Sequence, residues 1–203
     1  VGVITNVGPA HLEGFGSEEG VAAAKGEIFA SLPATGFAIL NGNQPWCEMW
    51  RKMNSAGGVL LFGSGRAHDV HFEQFESGTR MLTPAGGFDV RLTLPGTHNL
   101  MNAAAATAAA FALDVPLEKI RLGLETVEPV PGRLNLIRTD AGWTVIDDTY
   151  NANPASLYSA LQVLAGMQGT PWLVLGDMKE LGGDSRKLHA EVAASSATQC
   201  TSA

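Results

Sequence analysis

A short apolar run, Val1-Gly-Val-Ile4, stops at the small and turn-forming residues Thr5 to Pro9, and a helix signal begins at Ser17. This strand, loop and helix opening limits the possible folds more than any other stretch, because a continuous apolar strand must be buried on both faces. Ser17 stands where a cap belongs, and Glu18 and Glu19 supply an acidic first turn. Val21, Ala24, Lys25 and Ile28 recur at helical spacing, which predicts that Lys25 lies near the apolar face. An amine held there loses solvation and becomes less basic, and a neutral amine takes up carbon dioxide as a carbamate. His11, in the loop, is by default a histidine bonded to nearby backbone, and a lysine met without context is by default a surface charge.

Further strands are expected at Phe37–Leu40 and Val59–Phe62, with the Asn41-Gly-Asn43 turn between them and a helix over Trp46–Met53. Gly63-Ser-Gly65 is no phosphate loop, since no Gly-Lys-Ser/Thr follows it. His68 and His71 read as strand-edge residues. Phe88, Val90, Leu92 and Leu94 alternate with polar residues, and Gly78 and Pro84–Gly87 offer turns. Residues 70–94 therefore predict an antiparallel meander with one wet face. An alanine-rich helix is expected over Ala103–Leu113, and a short one after Val115 with Ile120, Leu122 and Leu124 in the core. Glu128-Pro-Val-Pro-Gly-Arg133 resists both helix and central strand and is the best domain boundary. Beyond it, strands at Leu134–Thr139 and Trp143–Ile146 flank a turn. A helix over Ala155–Met167, a parallel strand at Trp172–Leu175, a helix over Ser185–Ala197 and a polar tail complete the order. Asn153 or Ser156 caps the first of these helices.

The totals narrow the class. With 203 residues, 45% hydrophobic and 16% charged, the chain forms cores and is large enough for one or two domains. A net charge of −7 without a basic patch argues against nucleic acid as the main partner. Two cysteines make neither a disulfide framework nor a metal motif. No apolar run nears the roughly 20 residues of a membrane span, and no signal peptide is visible. The expected location is cytoplasmic.

Several stretches together resemble the Mur ligases, the ATP-dependent amide-forming enzymes of bacterial peptidoglycan synthesis. They are Asn6-Val-Gly-Pro-Ala-His-Leu-Glu-Gly-Phe-Gly-Ser17 with Ala24-Lys-Gly-Glu-Ile-Phe29, then Pro95-Gly-Thr-His-Asn-Leu-Met-Asn102, then Pro131-Gly-Arg133. Asp147-Asp-Thr-Tyr-Asn-Ala-Asn-Pro154 and Gly176-Asp-Met-Lys-Glu-Leu-Gly182 bring it nearest to the members that add D-alanyl-D-alanine to UDP-N-acetylmuramoyl-tripeptide. The resemblance implies a mixed α/β fold. Part of the central ATP-binding domain (1–128) would be followed by the start of a Rossmann-like C-terminal domain (129–203). It implies that His11 and a carbamylated Lys25 hold magnesium and act as catalytic residues. Asn99, with Asn102 in support, would hold the adenine nucleotide of ATP. Arg133 would reach the phosphates, Asp148 would lie at the ribose, and Asn151 and Asn153 would serve the amino acceptor. The full-length enzyme is expected to be a monomer. No P-loop is found in the chain, and the opening without methionine, inside a strand, predicts a piece of a longer protein that is inactive alone. Two alternatives stay open: another ligase of the Mur or folylpolyglutamate synthase type, and a truncated, non-catalytic binding module.

Overall fold

The computed structural model describes residues 1–8, 12–76, 78–179 and 181–200, with backbone alone for 12–13 and 197–200. In chain order the elements are β1 (Gly2–Ile4), α1 (Leu12–Phe15), α2 (Glu18–Ala30), β2 (Phe37–Asn41), α3 (Cys47–Met53), β3 (Gly58–Ser64) and β4 (Val70–Phe75). Next come β5 (Gly78–Thr83), β6 (Gly86–Val90), α4 (Thr97–Phe111) and α5 (Leu117–Glu125). Last are β7 (Asn135–Arg138), β8 (Thr144–Asp147), α6 (Pro154–Ala165) and, after a 3-10 turn at Gly182–Asp184, α7 (Ser185–Cys200). They form two compact units. One comprises Val1–Val7, Glu18–Thr93 and Thr97–Val127, and the other Gly8–Ser17, Leu94–Gly96 and Glu128–Ala203.

The first unit is built on one sheet in the order β1-β2-β3-β4-β5-β6. The apolar strands β1, β2 and β3 pair in parallel, Ile4 beside Leu40 and Leu40 beside Leu61, so their carboxyl ends align along one edge. Ile39 belongs to the core beneath α4, with Phe62, Val70, Met81, Ala104 and Ala108. Ala38 and Leu40, equally buried, point the other way, as strand alternation requires. Alanines along α4 let its backbone lie close on the sheet.

The meander is part of this same sheet, and two of its details differ from the pattern-based reading. β4 runs parallel to β3, overlapping it only through Phe62–Ser64, and the antiparallel pairs are β4–β5 and β5–β6. β6 ends at Val90 instead of Leu94, because the Arg91 N–H turns to Glu125 Oε1 on α5 (3.2 Å) and leaves the ladder. Gly86 and Gly87 lie in the strand. On α5, Ile120 and Leu124 are buried one turn apart, whereas Leu122, two residues on, falls on the wet side at 41% exposure.

Helix α2 corrects a larger expectation. Its buried stripe is Val21, Ala22, Gly26 and Phe29, rotated by about one residue from the expected one, and both Lys25 and Ile28 are exposed. The phase is set by α3. Trp50 is fully buried, its indole N–H donates to Ala22 O at 2.9 Å, and its ring lies 6.4 Å from that of Phe29. Gly26 accommodates this packing: a methyl there would stand 2.7 Å from Met53 Sδ and 2.9 Å from Trp50 Cδ1. Gly26→Ala is therefore expected to destabilise the unit by up to about 2 kcal/mol, overpacking outweighing the gain in helix propensity. The midpoint of urea unfolding checks this, and a raised midpoint would mean a loose socket.

In the second unit β7 and β8 form an antiparallel pair, and α6 and α7 pack through Leu157, Leu161, Met178, Leu181 and Val192. Trp172–Leu175 forms no strand, and Trp172 and Val174 are 83% and 96% exposed. An apolar run becomes a strand only where a neighbouring strand offers it a ladder. The expected polar tail is helical as far as Cys200.

Candidate functional site

The edge where β1, β2 and β3 end carries the first cluster of polar groups. Lys25 Nζ donates to Asn6 O at 3.0 Å. Asn41, 4% exposed at the end of β2, donates through Nδ2 to Thr5 O at 2.6 Å and accepts the Asn43 N–H at 2.9 Å. Asn43 Oδ1 accepts the Ser64 N–H at 2.7 Å, and Gln44 Oε1 accepts the Val7 N–H at 3.1 Å. A hollow of about 280 Å³ opens here, lined by Val3, Ile4, Thr5, Asn6, Lys25 and Ile28. Ligands of open α/β sheets bind at such carboxyl edges.

Lys25 is thus at the edge that matters, but on the wet side of α2, so burial does not desolvate it. His11 lies outside the described residues. Among the described residues no three His, Cys, Asp or Glu side chains group as metal ligands. A lysine carbamate would itself add an oxygen anion. It retains one N–H of the amine, and Asn6 O requires only one, so the observed contact is compatible with that form. His68 and His71 keep to local backbone, their Nδ1 atoms 3.1 Å from Gly65 O and His68 O. The His68 ring packs against Gly63, where a methyl would stand 2.6 Å from Cε1. Burial raises the Cys47 thiol above its ordinary pKa, which keeps it protonated and unreactive.

α4 starts at Thr97, so His98, Asn99 and Asn102 lie in its first two turns, with Asn102 Nδ2 3.4 Å from Asn99 Oδ1. The two amides share one helix face, near the amino terminus where a helix favours anions.

In the second unit the Pro-Gly-Arg turn and the Asp-Asp-Thr-Tyr stretch are locked together. Asp148 Oδ1 accepts the Leu134 N–H at 3.1 Å, and the Tyr150 N–H donates to Gly132 O at 3.0 Å. The Arg133 guanidinium lies 4.2 Å over the Tyr150 ring, a cation–π contact that pattern reading did not foresee. Gly132 and Leu134 both have positive φ, +74° and +49°. A leucine in the left-handed region is strained, and such strain gathers at working sites. Asn151 Oδ1 accepts the next residue's N–H at 2.9 Å. Asn153 caps α6 in a reciprocal box with Ser156. Asn153→Ala should cost about 1 kcal/mol of stability, with Asn153→Asp close to the parent. Thermal unfolding measures both, and an unchanged melting temperature in the alanine variant would show that the cap contributes nothing.

A wider concavity, about 770 Å³, lies by β5, β6 and α5, but its Arg80 and Asp89 are paired with each other at 3.7 Å. On α5, Arg121 holds the Glu118 carboxyl below its ordinary range. Nothing there resembles a reaction centre. Among the described residues no helix is long and apolar enough to cross a membrane.

Comparison with known proteins matches residues 1–110 to the Mur ligase middle domain and residues 132–203 to the Mur ligase glutamate ligase domain. The UDP-N-acetylmuramoyl-tripeptide–D-alanyl-D-alanine ligase of Escherichia coli K12 is 42% identical over 197 residues, covering 94% of this chain and 43% of that protein. The chain therefore spans less than half the length of such relatives. A crystal structure of MurF from Acinetobacter baumannii superposes with a TM-score of 0.88 at 38% identity, over 97% of this chain and 44% of the other. MurF from Thermotoga maritima, solved with ADP, gives 0.83 at 28% identity, over 95% and 45%.

Proposed function

The chain belongs to the Mur ligase family, and on that premise we propose that the complete protein is the ATP-dependent ligase that joins D-alanyl-D-alanine to UDP-N-acetylmuramoyl-tripeptide. One observation carries the reading: a protein named for that reaction is 42% identical along 94% of this chain, across both matched domains. The mixed α/β fold, with strand ends and a helix start presenting polar groups, suits it. In this proposal the domains run over 1–128 and 129–203, and the enzyme acts as a cytoplasmic monomer.

The chemistry assigned is two-step. The tripeptide carboxylate takes the terminal phosphoryl group of ATP and releases ADP. The amine of D-alanyl-D-alanine then attacks the acyl phosphate, forming the amide and releasing phosphate. Asn99 and Asn102 are assigned to the adenine nucleotide, Asp148 to the ribose neighbourhood, and Arg133 to the phosphates, for which a fixed fork of donors is suited. His11 and carbamylated Lys25 would hold magnesium, which when bound neutralises phosphate charge. Asn151 and Asn153 are assigned to the acceptor, although the Asn153 side-chain oxygen already caps α6.

The test is phosphate release by the complete protein, with each substrate omitted in turn. Release dependent on ATP, the UDP-linked tripeptide and D-alanyl-D-alanine together supports the reading. Release that instead follows D-glutamate, or a folate with glutamate, would overturn it.

A further inference from the structure

Three consecutive residues after β1 are each held through the backbone by a different side chain: Thr5 O by Asn41, Asn6 O by Lys25, and the Val7 N–H by Gln44. These contacts do not involve the side chains of residues 5–7, so they set the course of the chain and not its composition. Asn41 has both ends of its amide engaged, and flipping it would set Oδ1 against the carbonyl of Thr5. A turn alone would not need this. The backbone bond from Gln44 N to Asn41 O (3.2 Å) already closes it. Asn43, reaching Ser64, extends the lacing to the end of β3. The turn after β2 therefore ties together the ends of three strands.

We propose that Asn41 and Gln44 are positioning residues, which fix the backbone of Thr5–Val7 beside Lys25. The consequence for turnover rests on the ligase reading; the hold on Val7 does not. A site needs its supporting contacts as rigid as its reacting groups, and the Val7 N–H loses its side-chain acceptor if Gln44 is truncated.

Asn41 is buried, and its truncation risks misfolding, so the test turns on the half-buried Gln44. In the complete protein, Gln44→Ala and Gln44→Glu are compared with the parent by amide hydrogen exchange at Val7 and by kcat and KM for ATP. Gln44→Ala is expected to speed Val7 exchange and lower kcat, each by about tenfold, the scale of one lost hydrogen bond, with KM changed less than about twofold. Gln44→Glu keeps an oxygen acceptor and should restore both. Parent-like exchange and kcat in Gln44→Ala would overturn the proposal, as would a Gln44→Glu variant no better than Gln44→Ala. If the parent protein adds no D-alanyl-D-alanine, the ligase reading falls, and Val7 exchange still decides whether Gln44 holds the segment.

Discussion

Trp50→Ala should cost the first unit about 3–5 kcal/mol, the usual range for emptying a large buried aromatic site. The side chain is fully enclosed, packs near Phe29, and bonds to Ala22 O across the α2–α3 contact. Folded domains are stable by only about 5–15 kcal/mol, so this loss is a large share of the whole. Trp50→Phe separates the contributions: it keeps an aromatic ring in place and removes the indole N–H, with an expected cost of about 1–2 kcal/mol for the lost bond and the smaller ring. Urea unfolding followed by far-UV circular dichroism reads both variants. A Trp50→Ala midpoint near that of the parent would mean that α3 does not anchor α2.

Lys25 carries the second large effect. In the complete ligase, Lys25→Ala should lower kcat by about 10²–10³-fold, the scale of removing one preorganised charge-stabilising group. Lys25→Arg decides what that group is. A guanidinium keeps the positive charge and a donor for Asn6 O, but it is always protonated and forms no carbamate. If Lys25 works as the carbamate, arginine is as damaging as alanine. Activity within about tenfold of the parent in Lys25→Arg would instead assign it a cation's role. Carbon-13-labelled bicarbonate supplies a readout apart from activity, since a carbamate carbon signal should appear in the parent and vanish in both variants.

Much of the layout is legible because secondary structure follows local rules. The strand at Val1–Ile4, the acidic start of α2, the β7–β8 hairpin and the Asn153 cap all follow from residues within one or two turns of each other. The phase of α2 does not. Its sequence is rich in alanine, so two stripes one residue apart are nearly equal in hydrophobicity. The choice between them belongs to Trp50 and Met53, which pack against the helix at Gly26. Trp172–Leu175 fails for a related reason: its composition favours a strand, but pairing needs a neighbour.

The candidate site divides along the same line. His11, Lys25, Asn99, Asn102, Arg133 and Asp148 stand out in the sequence because they lie in recognisable motifs. Asn41 and Gln44 do not, because their significance comes from what they touch. A polar residue closing the otherwise apolar strand Phe37–Asn41 was the one available hint, and it looked like an ordinary turn. Composition and periodicity by themselves determined the order of most elements, and the resemblance of the motifs pointed to the family and a short roster of chemical groups. Tertiary structure alone decided which strand ends share an edge, that Lys25 faces water while holding Asn6, and that Arg133 rests on Tyr150. Those facts depend on strand pairing and helix packing that bring separate stretches of the chain together, and no local pattern encodes either.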